Sequence, residues 1–396
     1  MNKNILKTGV QSFIKNNYDT DIVSVLLSKP LFPEISQQEL AQQLQGKKKA
    51  KEKLPTWFKT PGIYYPKKVN LEQTSSEKTA EYKAALVSGN QLADLTGGFG
   101  IDTYFFSRKI PLVTHCEIDP ELHEIVSHNA ASLGIDNVDF RCEDGIGFLR
   151  NTSQEFDWIY IDPSRRDESK NKVFQLTDCT PDVVIHRDLL LSKAGAVMIK
   201  TSPLLDLSAG LGQLRQVNEI HVIAVNNEVK ELLWILRKDN PDSEIKIRTV
   251  NFVKKGQEVF EFKRLEEKSS ECSYTDPQTY LYEPNSAILK AGGFRSLCPF
   301  FKVNKLHEHS HLYTSDSLRT FPGRVFKVIE TIPFSNKSMK RFKGAKANVS
   351  TRNFPESVAG IRKKFQVKDG GDLYLFFTTN KENQRIVIQC TKDTSN

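Results

Sequence analysis

Short apolar runs alternate with amphipathic stretches through the middle of the chain. The apolar runs are Leu92–Leu95, Leu112–Glu117, Val138–Cys142, Phe156–Ile161 and Ala196–Lys200. Between them lie segments with apolar residues at helical spacing, which predicts alternating strands and helices. Such alternation is typical of a parallel sheet covered by helices. The pattern therefore predicts an α/β domain with a doubly wound, Rossmann-like sheet.

Two further strand-like runs, His221–Val225 and Glu231–Lys238, are separated by Asn226–Lys230 only. This connection is too short for a crossover helix, so we expect the two strands to pair antiparallel. The later runs IKIRTVNF and VFEFKR are also strand-like, but the pattern does not assign them a place.

The pattern changes on either side of this domain, which we assign to residues 71–264. Residues 1–70 are predicted to be helical, and Ser36 and Glu39 have the spacing of a capping box. The polar segment 265–278 is expected to be a linker. Mixed strand and helix patterns then predict two α+β modules, at 279–322 and 323–396.

Composition narrows the class of protein. The chain has 396 residues, of which 26% are charged, and it lacks the run of about 18 apolar residues that a membrane span needs. Its first residues do not have the pattern of a secretion signal. The six cysteines include no C-x-x-C pair, so we expect neither a metal site nor a disulfide framework. We therefore expect a protein of the reducing cytoplasm, without a membrane partner.

Positive charge is concentrated near the C-terminus. Gly323 to Gly370 contains twelve Lys or Arg and three Asp or Glu, whereas the net charge of the whole chain is +8. Such uneven basicity predicts a surface that binds a polyanion. Phe342, Phe354 and Phe365 lie among these cations and are either core residues or stacking surfaces for bases. The candidate RNA contacts are Lys340, Arg341, Lys343, Lys346, Arg352, Arg362, Lys363 and Lys364.

A glycine-rich turn, DLTGGFG (94–100), follows the first strand of the alternating domain. Gly97, Gly98 and Gly100 are too close together for the dinucleotide fingerprint, but glycine lets a backbone approach a ligand closely. The turn lies at the carboxyl end of a strand, where open α/β sheets bind ligands. Taken alone, it is equally consistent with an ordinary strand–turn–helix corner.

Acidic residues follow four strands in succession: Asp94, Glu117, Asp144 and Asp162. Glu117 lies about 20 residues beyond the turn, where an acidic residue binds ribose hydroxyls. Asp144 is placed to accept a hydrogen bond from an exocyclic amine such as adenine N6. Carboxylates repel one another when they lie close together, so four at one sheet edge predict a nucleoside-type ligand.

Together these motifs resemble those of class I S-adenosylmethionine-dependent methyltransferases. The resemblance implies a seven-stranded sheet and S-adenosylmethionine as cofactor, with Asp94 facing its methionine end. It further implies that Glu117 binds the ribose and that Asp144 lies beside the adenine. The cofactor-binding residues implied are Asp94, Thr96, Gly97, Gly98, Gly100, Asp102, Glu117, Asp119 and Asp144.

The segment IDPSRR (161–166) resembles the fourth motif of that family, D/N-P-P-Y in amino methyltransferases. The resemblance implies that Asp162 accepts a hydrogen bond from the target amine. Ser164 replaces the second proline and Arg165 replaces the stacking aromatic, so Arg165 is expected to stack through its guanidinium or to hold a phosphate. The catalytic residues implied are Asp162, Pro163, Ser164 and Arg165.

The whole chain further resembles bacterial methyltransferase-like proteins with a ferredoxin-like module and a C-terminal THUMP-like domain. This resemblance is carried by SSEKTAEYKA, DPSRR, YEPNSAILKAG and the RNFP/IRKKF tract. It implies a ferredoxin-like module at 279–322, a THUMP-like RNA-binding domain at 323–396, and N-methylation of a guanine N2-type amine in tRNA or rRNA. The alternatives are methyl transfer to a protein or small molecule, and an RNA-binding protein that retains the cofactor pocket without turnover.

Two smaller features remain open. His307, His309 and His311 alternate, which places three imidazoles on one face of a predicted strand, and a solvated strand is favoured over a metal site. Glu283 lies in YEPN, which either borders the active site or begins a helix. The oligomeric state cannot be predicted from the sequence.

Overall fold

The structure is a computed structural model that describes residues 1–165, 175–239 and 244–392. The chain divides into two units. The first unit consists of Met1–Val217 and Trp234–Asp242, and the second of Asn218–Leu233 and Ser243–Asn396. Each unit has hydrophobic core clusters of its own.

Helices make up the N-terminal part of the first unit and flank its strands. Ser36 caps α3 and Glu39 completes the capping box, as the sequence predicts. Trp57, Tyr64 and Tyr65 are buried in one cluster with residues of α7 and α8, so this helical region shares its core with the helices beside the sheet. The helices are α1 (Thr8–Asn17), α2 (Ile22–Leu27), α3 (Gln37–Lys53), α4 (Pro55–Lys59), α5 (Lys68–Gln73), α6 (Glu77–Leu86), α7 (Ile101–Ser107), α8 (Pro120–Ser132), α9 (Gly145–Asn151), α10 (Val183–Lys193) and α11 (Leu207–Gln213).

The strands up to residue 263 are β1 (Gln91–Asp94), β2 (Leu112–Cys116), β3 (Val138–Arg141), β4 (Phe156–Ile161), β5 (Ser164–Arg165), β6 (Cys179–Thr180), β7 (Ala194–Thr201), β8 (Val217–Val225), β9 (Glu228–Arg237), β10 (Lys246–Val253) and β11 (Gly256–Lys263). The large sheet has the order β11-β10-β8-β9-β7-β4-β1-β2-β3, while β5 pairs with β6 separately. The neighbours from β7 to β3 are parallel. Leu92 of β1 lies opposite Val113 on one side and Trp158 on the other.

The predicted α/β fold is confirmed, and the sheet is larger than predicted. Strands β8 and β9 are neighbours joined by Asn226 and Asn227, whose φ angles are 51° and 64°. Such a turn is typical of a tight antiparallel hairpin. Strand β10 pairs parallel with β8, and β11 pairs antiparallel with β10. These are the two runs that the pattern left unassigned, and they extend the expected seven strands to nine.

A seven-stranded sheet dominates the C-terminal part of the second unit, in the order β13-β14-β12-β15-β18-β17-β16. Its strands are β12 (Tyr280–Pro284), β13 (Asn304–Lys305), β14 (Tyr313–Ser315), β15 (Gly323–Pro333), β16 (Asn348–Thr351), β17 (Leu373–Thr379) and β18 (Arg385–Lys392). The helices are α12 (Arg264–Ser269), α13 (Ser286–Ala291), α14 (Leu297–Phe301), α15 (Asn336–Met339) and α16 (Val358–Phe365). No helix in the described ranges is both long enough and apolar enough to cross a membrane.

The structure corrects two expectations about this unit. Cys272 and Cys298 form a disulfide, although the sequence predicted none, because the fold brings their Cα atoms to 5.5 Å across a separation of 26 residues. The HEHSH segment is a turn between β13 and β14 and not a strand. Asn353 donates a hydrogen bond to His307, whereas His311 stacks on Phe294. The three imidazoles therefore do not share one strand face, and the described residues contain no group placed to hold a metal.

Candidate active site

The glycine turn between β1 and α7 is tightly constrained. Gly98 and Gly100 have φ angles of +55° and +76°, which favour glycine. The Gly97 N–H donates to the Cys116 carbonyl of β2 at 2.9 Å. A Cβ on Gly97 would lie 2.0 Å from the buried His115 ring. The turn is thus bound to the neighbouring strand at a point where no side chain fits.

Asp94 lies beneath this turn and is fully buried. Its carboxylate accepts hydrogen bonds from the Thr103 hydroxyl at 2.6 Å and the Thr96 N–H at 3.2 Å. Burial raises the pKa of Asp94 to about 7. The Thr103 hydroxyl also lies 2.9 Å from Nδ1 of His115, whose pKa burial lowers to about 3. These contacts make Asp94 a support for the turn, and its predicted place at the methionine end of the cofactor stays a prediction.

Asp102 belongs to a second buried network. Its carboxylate pairs with Lys83 at 3.0 Å and accepts hydrogen bonds from the Ser75 and Tyr160 hydroxyls, each at 2.8 Å. Lys83 is fully buried and Asp102 is 8% exposed. These contacts with Lys83 of α6 and Tyr160 of β4 hold α7 against both elements. The cofactor role that the sequence assigned to Asp102 stays a prediction.

The carboxylate of Glu117 contacts the backbone of the glycine turn. Its Oε2 accepts from the Gly98 N–H at 3.0 Å, and its Oε1 accepts from the Asp119 N–H at 2.8 Å. Burial raises the pKa of Glu117, against the effect of these two hydrogen bonds. Ile118, the next residue, is 68% exposed and offers an apolar surface beside the carboxylate.

Asp119 and Asp144 begin the helices after β2 and β3. Asp119 accepts from the Glu121 N–H at 2.9 Å, and exposed Asp144 accepts from the Gly147 N–H at 2.7 Å. A Cβ on Gly145 would lie 2.2 Å from the Leu95 carbonyl oxygen, so α9 begins against the glycine turn. Both aspartates are exposed helix caps, and the contact of Gly145 with Leu95 places Asp144 next to the turn.

Asp162 follows β4 and lies next to the glycine turn. Its N–H donates to the Thr96 hydroxyl at 2.7 Å, and its Oδ2 pairs with Lys200 near the end of β7. The Asp162 side chain is 32% exposed, whereas that of Lys200 is 12% exposed. Asp162 is therefore a partly exposed carboxylate held at both its backbone and one oxygen.

The rest of the predicted catalytic segment is only partly described. Pro163 is buried. The exposed Ser164 of β5 lies opposite Thr180 of β6 in an antiparallel pair. The backbone of Arg165 lies in β5, but its side chain, like Arg166, is outside the described part of the structure. The stacking or phosphate-binding role of Arg165 stays a prediction.

The basic tract lies in the second unit, and its two halves run side by side. The Gly344 N–H donates to the Gln366 carbonyl at 3.0 Å, and the Lys368 N–H donates to Ala345 at 2.8 Å. Exposed side chains are those of Lys340, Arg341, Lys343, Lys346, Lys363 and Lys364, whereas Arg352 and Arg362 are half-buried. Phe342, Phe354 and Phe365 pack on the core of this unit, which favours the core interpretation.

Several of these cations already have an acidic partner. Arg341 pairs with Glu330 at 2.9 Å, Lys364 with Glu356 at 3.1 Å and Arg352 with Glu283 at 2.7 Å, while Arg362 pairs with Asp369. Within the described ranges, Lys340, Lys343, Lys346 and Lys363 have no ion-pair partner. These four lysines are therefore the most available cations of the predicted set.

Sequence reasoning missed three polar residues at these sites. Lys200 lies near the end of a correctly predicted strand, so the rule that located Asp162 was also available for Lys200. Lys83 lies in the SSEKTAEYKA segment, where only its burial reveals a role. Arg324 was counted in the basic tract without assignment, and it pairs with Glu283 of β12.

Comparisons with known proteins agree with these observations. Family profiles described as a ferredoxin-like domain and a THUMP domain-like region match residues 280–322 and 323–392. An uncharacterized S-adenosylmethionine-dependent methyltransferase of Mycobacterium tuberculosis, found in strains CDC 1551 and H37Rv, is 21% identical over 78% of this chain and 82% of its own length. A crystal structure from Porphyromonas gingivalis W83, provisionally described as a methyltransferase, is 32% identical with a TM-score of 0.88 and covers 98% of both chains. The chain therefore belongs to the family of S-adenosylmethionine-dependent methyltransferases that carry a ferredoxin-like module and a THUMP-like C-terminal domain.

Proposed function

We propose that this methyltransferase N-methylates a base amine of the guanine N2 type in tRNA or rRNA. The observation that carries the proposal is the exposed basic tract on the THUMP-like domain. A local excess of lysine and arginine binds the phosphate backbone and supplies most of the affinity for nucleic acid. We also propose that the reaction takes place in the cytoplasm, although the Cys272–Cys298 disulfide is not typical of a reducing compartment.

The residues in and around the glycine turn of the first unit have the chemistry needed to bind the cofactor. The glycine turn leaves no room for a Cβ at Gly97, and its φ > 0 glycines allow a ligand to approach the backbone. Glu117 would hold the ribose, because each of its oxygens uses one lone pair for a backbone N–H and keeps another. Ile118 would contact the adenine through its exposed apolar side chain, and Asp144 through its carboxylate.

The bound cofactor supplies an activated methyl group on a sulfonium, so the protein has to provide mainly proximity and orientation. Asp162 would accept a hydrogen bond from the target amine through Oδ1, since Oδ2 is engaged by Lys200. This bond would turn the nitrogen lone pair toward the methyl group. The Thr96 hydroxyl fixes the Asp162 backbone to the glycine turn, so the acceptor is positioned relative to the cofactor.

Lys200 acts as a positioning residue. Its side chain is only 12% exposed, and its ammonium pairs with Oδ2 of Asp162. An ionised acceptor is required, because a protonated carboxyl would offer a donor to the amine. The salt bridge also fixes which oxygen is available to the substrate.

Methyl-labelled cofactor tests the proposed function. The full chain is incubated with the labelled cofactor and either total RNA or total protein from cells that lack this chain. We expect label in RNA, and nucleoside mass spectrometry should locate it as N2-methylguanosine. Label in protein alone, or in neither fraction, would overturn the proposal.

Variants of the ion pair test the assigned chemistry. Asp162→Ala and Lys200→Met are each expected to lower kcat by a factor of about 100 or more, the loss typical of a misplaced catalytic group. Affinity for S-adenosylhomocysteine, measured by calorimetry, should change little. Asp188→Asn, at an exposed position of α10, is the control. Normal turnover by Asp162→Ala would remove this residue from the mechanism.

A further inference from the structure

We propose that Arg324 and Arg352, held together by the buried carboxylate of Glu283, form a seat for a backbone phosphate of the RNA. The seat deepens the proposed function and rests on it. It brings together a residue of the ferredoxin-like module and two residues of the THUMP-like domain, all within the second unit.

The carboxylate of Glu283 joins the two arginines. Its Oε2 accepts from Nε of Arg324 at 2.6 Å and also from Nη2 of the same residue. Its Oε1 accepts from Nη2 of Arg352 at 2.7 Å. Nη1 of Arg352 donates to the Thr351 carbonyl at 3.0 Å. Each guanidinium is thus anchored at two points and fixed in orientation.

The burial of the three side chains differs strongly. The Glu283 side chain is 4% exposed, whereas those of Arg324 and Arg352 are 43% and 35% exposed. A guanidinium has five N–H donors, and Glu283 and Thr351 use only some of them. Within the described residues, Nη1 of Arg324 and Nε of Arg352 have no acceptor, so donors remain for a ligand.

The group carries a net positive charge, since two guanidinium ions share one carboxylate. Burial lowers the pKa of nearby His311 to about 4, and the charges of Lys305 and Arg352 act in the same direction. Paired, pre-oriented guanidinium groups are the usual partners of a phosphate because their planar forks match its oxygens.

The residue next to each arginine in sequence has a positive φ angle, which is rare for residues other than glycine and asparagine. Gly323 precedes Arg324 with φ +152°, and a Cβ there would lie 2.1 Å from the Glu283 carbonyl oxygen. Asn353 follows Arg352 with φ +50°. The Arg324 guanidinium also lies 5.4 Å from the centre of the Phe326 ring. The seat is therefore preorganised, which lowers the entropic cost of binding.

A purely structural ion-pair cluster is the competing interpretation, and salt dependence separates the two. Each phosphate contact contributes about 0.7 to 0.9 to the slope of log K against log salt. The test variant is E283Q/R324Q/R352Q, which removes the whole cluster and leaves no buried charge unpaired. Binding of total cellular RNA to the full chain is measured by fluorescence anisotropy over a series of KCl concentrations.

We expect the triple variant to lower the slope by about 0.7 to 0.9, equivalent to one lost phosphate contact. The control, Arg248→Gln, removes the same net charge from an exposed cross-strand pair with Glu261 and should leave the slope unchanged. A second variant, R324K/R352K, keeps the charge without the guanidinium fork. It should bind RNA about tenfold more weakly, the loss expected from one charge-assisted hydrogen bond. If the triple variant does not fold, R324K/R352K is the variant that tests the seat.

The outcomes are distinct. If the wild type binds RNA and the triple variant has the wild-type slope, the seat is overturned and the proposed function stands. If the triple variant does not fold and R324K/R352K binds like the wild type, the seat is likewise overturned. If the wild type itself does not bind RNA, or binds it independently of salt, the proposed function fails and the seat with it.

Discussion

At the scale of the residue, Glu117 is oriented before any ligand binds. Two backbone N–H groups, from Gly98 and Asp119, fix its two oxygens separately. A carboxylate held in this way loses little conformational entropy when it accepts further hydrogen bonds. The sequence predicts the residue from its position after β2, but the two backbone donors depend on the conformation of the turn.

Replacing Glu117 with glutamine should weaken cofactor binding. The side-chain N–H₂ group of the glutamine would then point at the backbone N–H of Gly98 or Asp119. The negatively charged acceptor would also be lost. A hydrogen bond to a charged group contributes about 1.5 to 3 kcal/mol, so we expect affinity for S-adenosylmethionine to fall by about 10- to 100-fold. Calorimetric titration measures this, with Asp139→Asn, an exposed residue of β3, as control. Unchanged affinity would exclude Glu117 from the cofactor site.

Asp94 and His115 make opposite contributions to the pH dependence of stability. Burial raises the pKa of Asp94 from 3.8 to about 7, so this carboxylate binds a proton at a higher pH in the folded than in the unfolded state. The contribution of Asp94 to the free energy of unfolding therefore increases as the pH falls from about 7 to about 4. Burial lowers the pKa of His115 from 6.5 to about 3, so stability from this group is lost as the pH falls below 6.5. In the wild type the two effects partly cancel.

Asp94→Asn should remove that compensation. Between pH 7 and 4 the free energy of unfolding should fall more steeply than in the wild type, by up to about 1.4 kcal/mol per pH unit. All three tryptophans lie in the first unit, so tryptophan fluorescence during urea unfolding follows this unit alone. Asp188→Asn serves as the control, and identical pH profiles for wild type and Asp94→Asn would contradict the assignment.

At the scale of the element, the β1–α7 turn depends on Gly97. Gly97→Ala would place a methyl group 2.0 Å from the buried His115 ring, which cannot move away. Overpacking of this kind costs roughly 1 to 3 kcal/mol. Gly212→Ala in α11 is the matched control, since its Cβ meets open space and alanine stabilises a helix by about 0.5 to 1 kcal/mol relative to glycine. Urea midpoints from tryptophan fluorescence should therefore shift in opposite directions, and a neutral Gly97→Ala would contradict the packing described.

Elements were predictable where the signal was local, and their partners were not. The strands LADL and FDWIYI and the capped helix after Asp119 follow from periodicity and capping residues. By contrast, β10 and β11 are hydrophobic at the right spacing, yet only long-range pairing places them at the sheet edge. The Cys272–Cys298 pair and the Lys200–Asp162 contact are likewise formed by segments that the sequence does not relate.

At the scale of the whole molecule, each ligand should protect its own unit. A ligand that binds only the folded state stabilises the region that it contacts. In hydrogen exchange, S-adenosylhomocysteine should slow exchange at residues 96–104, 117–119 and 144–147. RNA should slow it at 340–346 and 362–368. Protection of the first unit alone by RNA would contradict the role given to the THUMP-like domain.

The hairpin β8–β9 has a consequence for synthesis. Trp234 is fully buried in the first unit, where it donates to the Thr201 hydroxyl at 3.0 Å and packs against Gly210. The residues just before it, Asn218–Leu233, belong to the second unit. A nascent chain that has emerged only as far as Val217 therefore lacks a core side chain of the first unit. During synthesis on the ribosome, the first unit can complete its hydrophobic core only after residues 218–233 of the second unit and Trp234 have been made.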